Sequence, residues 1–135
     1  AHKDSKGGSG IIRAGDIQWM TAGSGVLHQE INNSERLNGV QLWVNLPSSD
    51  KMTSPRYQAL LNESIPRKSL DERGSYLRVV AGSYKGIVGA AKTFSPVEVY
   101  DANLKAGASF SVDLPKNHNT FLLVMGGAVV INGFQ

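Results

Sequence analysis

Short runs of alternating apolar and polar residues, separated by Gly, Pro and Asn, make up most of the chain. Such alternation places successive side chains on opposite faces, which is typical of β-strands. Apart from the strands around residue 20, the pattern predicts short strands at residues 11–12, 39–46, 76–82, 86–94, 97–104, 109–115 and 120–131. No amphipathic helix of ten residues or more is visible, so we predict an all-β sandwich or barrel.

The predicted connections differ in character along the chain. Residues 1–10 are polar and rich in Gly, which predicts a hairpin loop, and residues 13–16 predict a turn. Pro47 ends the strand before it, because proline has no N–H to give to a ladder. Residues 47–74 hold three of the five prolines and many charges, and we interpret them as a long, partly structured connection with a short helical turn at 57–61.

The segment GDIQWMTAGSGVLHQE, residues 15–30, carries the chemistry that stands out most. A Gly-rich hinge at residues 22–25 separates an apolar strand from a second short strand that carries His28 and Glu30. Side chains two residues apart on a strand share a face, so this imidazole and this carboxylate can bind one divalent ion. The alternative is an outward-facing polar pair on an edge strand, and the spacing alone leaves both open.

Other candidate residues have simpler explanations. His2 lies beside a Gly-rich loop and is expected to be solvated, and His118 lies in a turn composition. Ser24 near His28 does not fit the nucleophile elbow, and GGSG at residues 7–10 lacks the Lys and helix of a phosphate loop. Trp19 and Trp43 are candidates either for stacking on an aromatic ligand or for core packing.

Composition excludes several classes of function. The 135 residues include no cysteine, so disulfides, thiolate metal sites and a Cys nucleophile are excluded. The net charge of +3 is mild and its cations are scattered, which argues against direct nucleic-acid binding. No apolar run is long enough to span a bilayer, so no membrane partner is expected. The chain begins without Met and ends after a strand-like run, which predicts an internal fragment of a longer protein.

The first 60 residues closely resemble the pirin family of the cupin superfamily, and the later part resembles it more loosely. The matching motifs are GDIQWMTAG at residues 15–23, GVLHQE at 25–30, QLWVNL at 41–46 and KM at 51–52 with PRYQ at 55–58. A strand, a Gly turn and a second strand with His is also similar to the second cupin motif. The resemblance implies a bicupin of double-stranded β-helix barrels, here the latter part of the first barrel and the start of the second. Its expected boundaries are residues 1–60 for the metal-binding barrel, 61–75 for the linker and 76–135 for the second barrel.

In pirins the iron site of the first barrel uses three histidines and one glutamate. The resemblance therefore implies Fe(II) as cofactor, with His28 and Glu30 as two ligands and the other two in an upstream H-x-H pair that this chain lacks. His2 matches a family position that is not a ligand.

Two functions follow from the resemblance. One is a redox-sensitive coregulator that binds a transcription factor or other regulatory protein, intracellular and located in the nucleus or cytoplasm. The other is quercetin 2,3-dioxygenase activity, in which O₂ opens a flavonol ring, Glu30 acts as base, and Trp19, Met20 and Trp43 line an apolar cavity. A structural cupin without metal is a third class, expected if the upstream H-x-H is missing from the complete gene product.

Overall fold

The computed structural model describes residues 1–5, 7–32 and 35–134. Within these ranges the chain forms strands and two short 3₁₀ helices but no α-helix, which confirms the predicted all-β class. The 3₁₀ helices are Ser48–Asp50 and Asn62–Ser64. The strands are β1 His2–Asp4, β2 Ser9–Gly10, β3 Ile17–Thr21, β4 His28–Glu30, β5 Arg56–Leu60, β6 Arg67–Ser69, β7 Tyr76–Ala81, β8 Ser83–Tyr84, β9 Ile87–Val88 and β10 Val99–Asn103. In the same ranges, no helix is long and apolar enough to cross a membrane.

In the described part of the chain, all strand pairs are antiparallel, and they form four separate sheets. Two three-stranded sheets have the orders β2-β1-β4 and β10-β7-β6, and two-stranded ladders join β3 to β5 and β8 to β9. The β1–β2 pair confirms a hairpin at residues 1–10, with its first strand at His2–Asp4 and not mostly before residue 1 as expected. The predicted turns are also present, because Asp16 N donates to Arg13 O at 3.0 Å and Gly25 N donates to Ala22 O at 2.9 Å.

β7 is the strand around which the core is built. Its alternation sends Leu77 and Val79 to one face and Val80 to the other, and all three are at most 1% exposed. The first face packs with Tyr84 and, around it, Leu70, Ile87, Tyr100 and Val112. The second face packs with Leu60 and Ile65 and, around them, Ile17, Trp19, Ala90, Ala91 and Val99. A strand covered on both faces explains the nearly continuous apolar sequence there.

The prediction of an irregular connection over residues 47–74 is wrong in two places. Arg56–Leu60 is strand β5, paired with β3 along its whole length, and no helical turn forms at 57–61. Arg67–Ser69 is strand β6, paired with β7. Both segments are polar in sequence, and their conformation is decided by partners that lie far away along the chain. The division into parts 1–60, 61–75 and 76–135 remains a prediction.

Several predicted strands do not form among the described residues. Residues 11–12, 39–46, 109–115 and 120–131 have no strand, and 86–94 contains only Ile87–Val88. Alternation favours a strand only where a neighbour supplies hydrogen bonds and covers one face. Residues 39–46 and 120–131 lack such cover, since Trp43 is 84% and Phe121 70% exposed. Residues 109–115 pack partly against the core through Val112 but have no strand partner among the described residues. In place of the strand pair expected at 121–131, the structure has one bridge between Ile131 and Phe134.

Polar contacts tie the turn before β3 to the sheet around β7. Arg78 on β7 is 6% exposed; it donates to Asp101 on β10 at 2.8 Å and to the carbonyl of Gly15. The carboxylate of Asp16 accepts the N–H of Asn62 at 2.9 Å. Arg78 and Gly15 are 63 residues apart in the sequence.

Candidate metal site

The strand that carries the two predicted ligands forms as expected. β4 comprises His28, Gln29 and Glu30, and all three side chains are exposed. Because strand side chains alternate, His28 and Glu30 share one face and Gln29 lies on the other. Whether they bind a metal is not decided by this placement, and the site remains a prediction.

β4 is held in place at both of its ends. It pairs with β1 over its whole length, with Asp4 opposite His28 and Lys3 opposite Gln29. Ser5 N donates to Leu27 O at 2.7 Å just before the strand, and Ile31 N donates to Ala1 O at 2.7 Å just after it. The backbone under the two predicted ligands is therefore fixed by a regular ladder, which suits a metal site built on a rigid element.

Asp4 brings a second carboxylate next to His28. Residues directly opposite on antiparallel strands share a face, so Asp4 lies on the same face as His28. Its Oδ1 accepts the N–H of Gly8 at 2.9 Å, and a Cβ at Gly8 would collide with the same carboxylate. The loop amide at Gly8 is thus directed at a protein carboxylate, in agreement with our rejection of a phosphate loop at residues 7–10.

Tyr57 is a further group at this face that sequence reasoning did not place there. Burial raises the pKa of the Tyr57 phenol, and the negative charges of Asp4 and Glu30 raise it further. The phenol on β5 is therefore within electrostatic range of both carboxylates. Tyr57 is opposite Met20 in the β3–β5 ladder. Its proximity follows from a pairing across more than thirty residues, which no local spacing indicates.

The donor chemistry fits a transition metal, but the number of donors is incomplete. An imidazole and a carboxylate on one strand face suit Fe(II), whereas a stable catalytic site needs three or more protein ligands. Among the described residues, no group of three or more His, Asp or Glu could hold a metal ion. His118 lies in a turn, where its N–H donates to Pro115 O at 3.0 Å, as predicted. The interpretation of His2 concerns a side chain outside the described part of the structure.

The space beside His28 is small. A hollow of about 260 Å³ is lined by Lys3, Asp4, Ser5, Leu27, His28 and Gln29. Ligand sites usually enclose about 300–1,000 Å³, so this hollow suits a small group and not a whole flavonol. Ser24, nearby in sequence, is exposed and its N–H donates to Thr53 O at 2.9 Å.

The predicted apolar cavity of Trp19, Met20 and Trp43 does not form. Trp19 packs against the core cluster of Leu60, Ile65 and Val80, which is the packing role we had left open for it. Trp43 is 84% exposed, so it does not pack in the core, and its stacking on an aromatic ligand stays a prediction. Residues 39–46 form no strand in this structure, so the Trp43 ring does not pack beside Trp19 and Met20 to enclose a cavity.

Comparison with known proteins agrees with the all-β fold and indicates the family to which the chain is related. The model of the family described as Pirin matches residues 1–44. A quercetin 2,3-dioxygenase structure from Acinetobacter baumannii is 52% identical, with a TM-score of 0.68 over 75% of this chain and 37% of that one. Pirin from Homo sapiens is 43% identical over 132 residues, covering 97% of this chain and 45% of the relative. Pirin-1 from Arabidopsis thaliana is 43% identical over 126 residues, covering 93% of this chain and 43% of the relative.

The all-β architecture and these matches together identify the fold as the cupin type. The chain belongs to the pirin family over the part that it represents. It spans about half the length of the curated relatives it matches, between 40% and 48% for the first three.

Proposed function

We propose that this chain contributes to an iron-dependent flavonol dioxygenase of quercetin 2,3-dioxygenase type, with His28 and Glu30 as two of the iron ligands. The observation that carries the proposal is the exposed, ladder-fixed pair His28 and Glu30 on one face of β4. The 52% identity to the quercetin 2,3-dioxygenase of Acinetobacter baumannii supports the choice of reaction. The hollow beside His28 is too small for a whole flavonol, so the rest of the substrate pocket is expected from the part of the relatives that this chain does not span. The remaining ligands are expected from the upstream H-x-H pair that the pirin resemblance implies.

The roles of the residues follow from their chemistry. Bound iron would supply a Lewis acid and a redox centre for flavonol and O₂. His28 would hold it through a neutral imidazole, and Glu30 would offset its charge. Burial and the charges of Asp4 and Glu30 raise the pKa of the Tyr57 phenol, which is protonated at neutral pH as a tyrosine ordinarily is. It can therefore donate a hydrogen bond to a carboxylate or to an oxygen of the substrate.

Three variants test the site in a chain extended upstream through the expected H-x-H motif. His28→Ala and Glu30→Gln should each reduce Fe(II) binding and quercetin turnover by at least about 10-fold, because a lost ligand leaves the site incomplete. Gln29→Ala is the matched control, since this residue lies on the same strand but on the opposite face. The control should retain both binding and turnover. Full Fe(II) binding by the His28→Ala variant would overturn the assignment.

A second function is favoured by the similarity to Pirin from Homo sapiens. In it, the same Fe(II) site would set the redox state of a surface that binds a transcription factor or other regulatory protein in the nucleus or cytoplasm. The two functions differ in the catalytic outcome. An extended chain that binds Fe(II) through His28 and yet leaves quercetin intact under O₂ would favour the coregulator.

A further inference from the structure

A second hollow lies at the edge of the sheet around β7 and is built from different residues than the metal site. Its volume is about 460 Å³, within the usual range for small-molecule sites. It is lined by Lys68, Ser69, Leu70, Tyr84, Lys85, Ser109, Phe110 and Ser111. None of these residues belongs to β1, β3 or β4, so the hollow does not extend the His28 site.

The charges that line the hollow are all of one sign. Lys68 lies on β6 and Lys85 in the turn between β8 and β9, whereas the lining residues include no Asp or Glu. Asp71, the nearest acid in sequence to Lys68, is otherwise engaged. Its carboxylate accepts the Ser75 hydroxyl at 2.7 Å and the Ser75 N–H at 2.9 Å. A cleft with cations and no internal counter-charge favours an anionic ligand.

Aromatic rings form the apolar part of the hollow. Tyr84 is 5% exposed and is fixed by its hydroxyl, which donates to Ser111 O at 3.1 Å. Phe110 meets the Tyr84 ring edge to face, with centroids 6.5 Å apart. Phe110 is itself 36% exposed, so part of its ring is available to a ligand. A flat aromatic body can pack on such a surface.

The position of Lys85 is held by its backbone. Lys85 has φ +44° and is followed by Gly86 with φ +83°, the conformation of a tight two-residue hairpin turn that favours Asn and Gly. Its Nζ lies 5.4 Å from the centre of the Tyr84 ring. A lysine in a left-handed turn position costs conformational free energy, and no ion pair with a described residue offsets that cost. An interaction between Lys85 and a ligand bound in the hollow would offset this conformational cost.

We propose that this hollow is a binding site for a small aromatic carboxylate, with Lys68 and Lys85 on the carboxylate and Phe110 and Tyr84 on the ring. The proposal is independent of iron and of the flavonol reaction, because it uses none of the residues around His28.

The test is a titration of the 135-residue chain with 2-naphthoate, followed by amide NMR shifts. We expect the amides of Lys68, Lys85 and Phe110 to shift, with a dissociation constant of about 1 mM for a ligand of this size. Neutral 2-naphthalenemethanol and ringless acetate are the matched ligands, and each should bind at least about 5-fold more weakly. Equal binding of either would overturn the proposal, as would the absence of shifts at the hollow.

Two variants separate binding from folding. Lys85→Asn suits the left-handed turn and should unfold at the same temperature as the parent chain or higher, yet bind 2-naphthoate about 3-fold more weakly. Lys68→Gln should weaken binding to a similar extent, and Lys92→Gln, outside the hollow, should leave it unchanged. His28→Ala should bind 2-naphthoate normally, which distinguishes a failure of this site from a failure of the iron site. Unchanged affinity in both the Lys85 and the Lys68 variants would overturn the assignment.

Discussion

At the scale of single residues, the carboxylate of Asp16 does more than close a turn. One oxygen accepts the N–H of Arg13 at 2.9 Å and the other accepts the N–H of Asn62 at 2.9 Å. The first bond fixes the turn that starts β3, and the second attaches this turn to the segment after β5. Both amides and the cation of Arg13 favour the charged form, so the pKa of Asp16 lies below its ordinary value.

Asp16→Asn should therefore lower the unfolding temperature at pH 7. A carboxylate with a lowered pKa in the folded state adds stability above its ordinary pKa of 3.8, and this contribution is lost as pH falls through the lower folded value. The difference between parent and variant, measured by circular dichroism, should be largest near neutral pH and shrink below about pH 3.8. The exposed Asp113→Asn is the control and should show no such pH-dependent difference. A constant difference down to pH 2 would contradict this role.

At the same scale, sequence spacing predicted only part of the candidate site. An H-x-E spacing on a strand is a local signal, and for that reason His28 and Glu30 could be chosen in advance. Asp4 could not, because it reaches the same face only through the β1–β4 register. The effect of the Asp4 and Glu30 charges on Tyr57 could not be predicted either, because it depends on where β5 is placed by its pairing with β3. Trp43 shows the opposite case, in which a conspicuous residue has no role in the described fold.

At the scale of elements, β7 has the largest share of the buried apolar surface. Leu77 is fully buried in the cluster with Val79 and Tyr84, and β7 is bordered by β6 and β10. Its β-branched and aromatic residues suit a packed, pleated surface, and its apolar run predicts burial on both faces. These local signals explain why β7 and β10 could be predicted from sequence.

Leu77→Ala should reduce the free energy of unfolding by about 2–5 kcal/mol, because a fully buried leucine leaves a cavity that neighbours fill only in part. Urea unfolding followed by tryptophan fluorescence would measure the change. Val88→Ala on β9 provides the comparison, since Val88 is 71% exposed and its truncation should cost at most about 0.5 kcal/mol. Similar losses for the two variants would mean that Leu77 does not lie in the core.

The wrong element predictions have a common cause. Arg56 and Gln58 alternate with Tyr57 and Ala59 in β5, but the strand is short, it lies in a segment rich in charges and prolines, and of its residues only Leu60 is buried. Gln58 is nonetheless tied down on both sides, donating to Lys92 O and accepting Lys92 N, each at 2.9 Å. Residues 39–46 have the better strand pattern and no partner. Alternation of polar and apolar residues cannot by itself show whether a neighbouring strand is available for pairing.

At the scale of the whole molecule, Arg78 joins parts of the chain that the sequence suggested were separate. Its guanidinium reaches Asp101 on β10 and the Gly15 carbonyl in the turn before β3. Arg78 is nearly buried, whereas the side chain of Asp101 is 53% exposed, so water still screens this pair. The bond to Gly15 adds a polar link between β7 and the turn before β3, beside the apolar packing of Ile17 and Trp19 on the Val80 cluster.

Arg78→Met should cost about 1–2 kcal/mol of unfolding free energy, because the Gly15 carbonyl loses its charged donor while methionine keeps most of the packing. Amide hydrogen exchange should accelerate in β3 more than in β10, since β10 keeps its ladder with β7. Asp101→Asn keeps the Gly15 bond and serves as the control, with little expected effect on β3. Uniform acceleration in both strands would show that Arg78 supports the fold without linking its parts.

The cluster that joins Leu60, Ile65 and Val80 to Trp19 and Val99 also sets an order of events during synthesis on the ribosome. The apolar face of β3 is made early, but its partners arrive some forty to eighty residues later. Until then the nascent segment must be shielded from other chains, because apolar strands with open edges aggregate. Newly made chains should therefore depend on chaperones up to the point at which Val99 has left the exit tunnel.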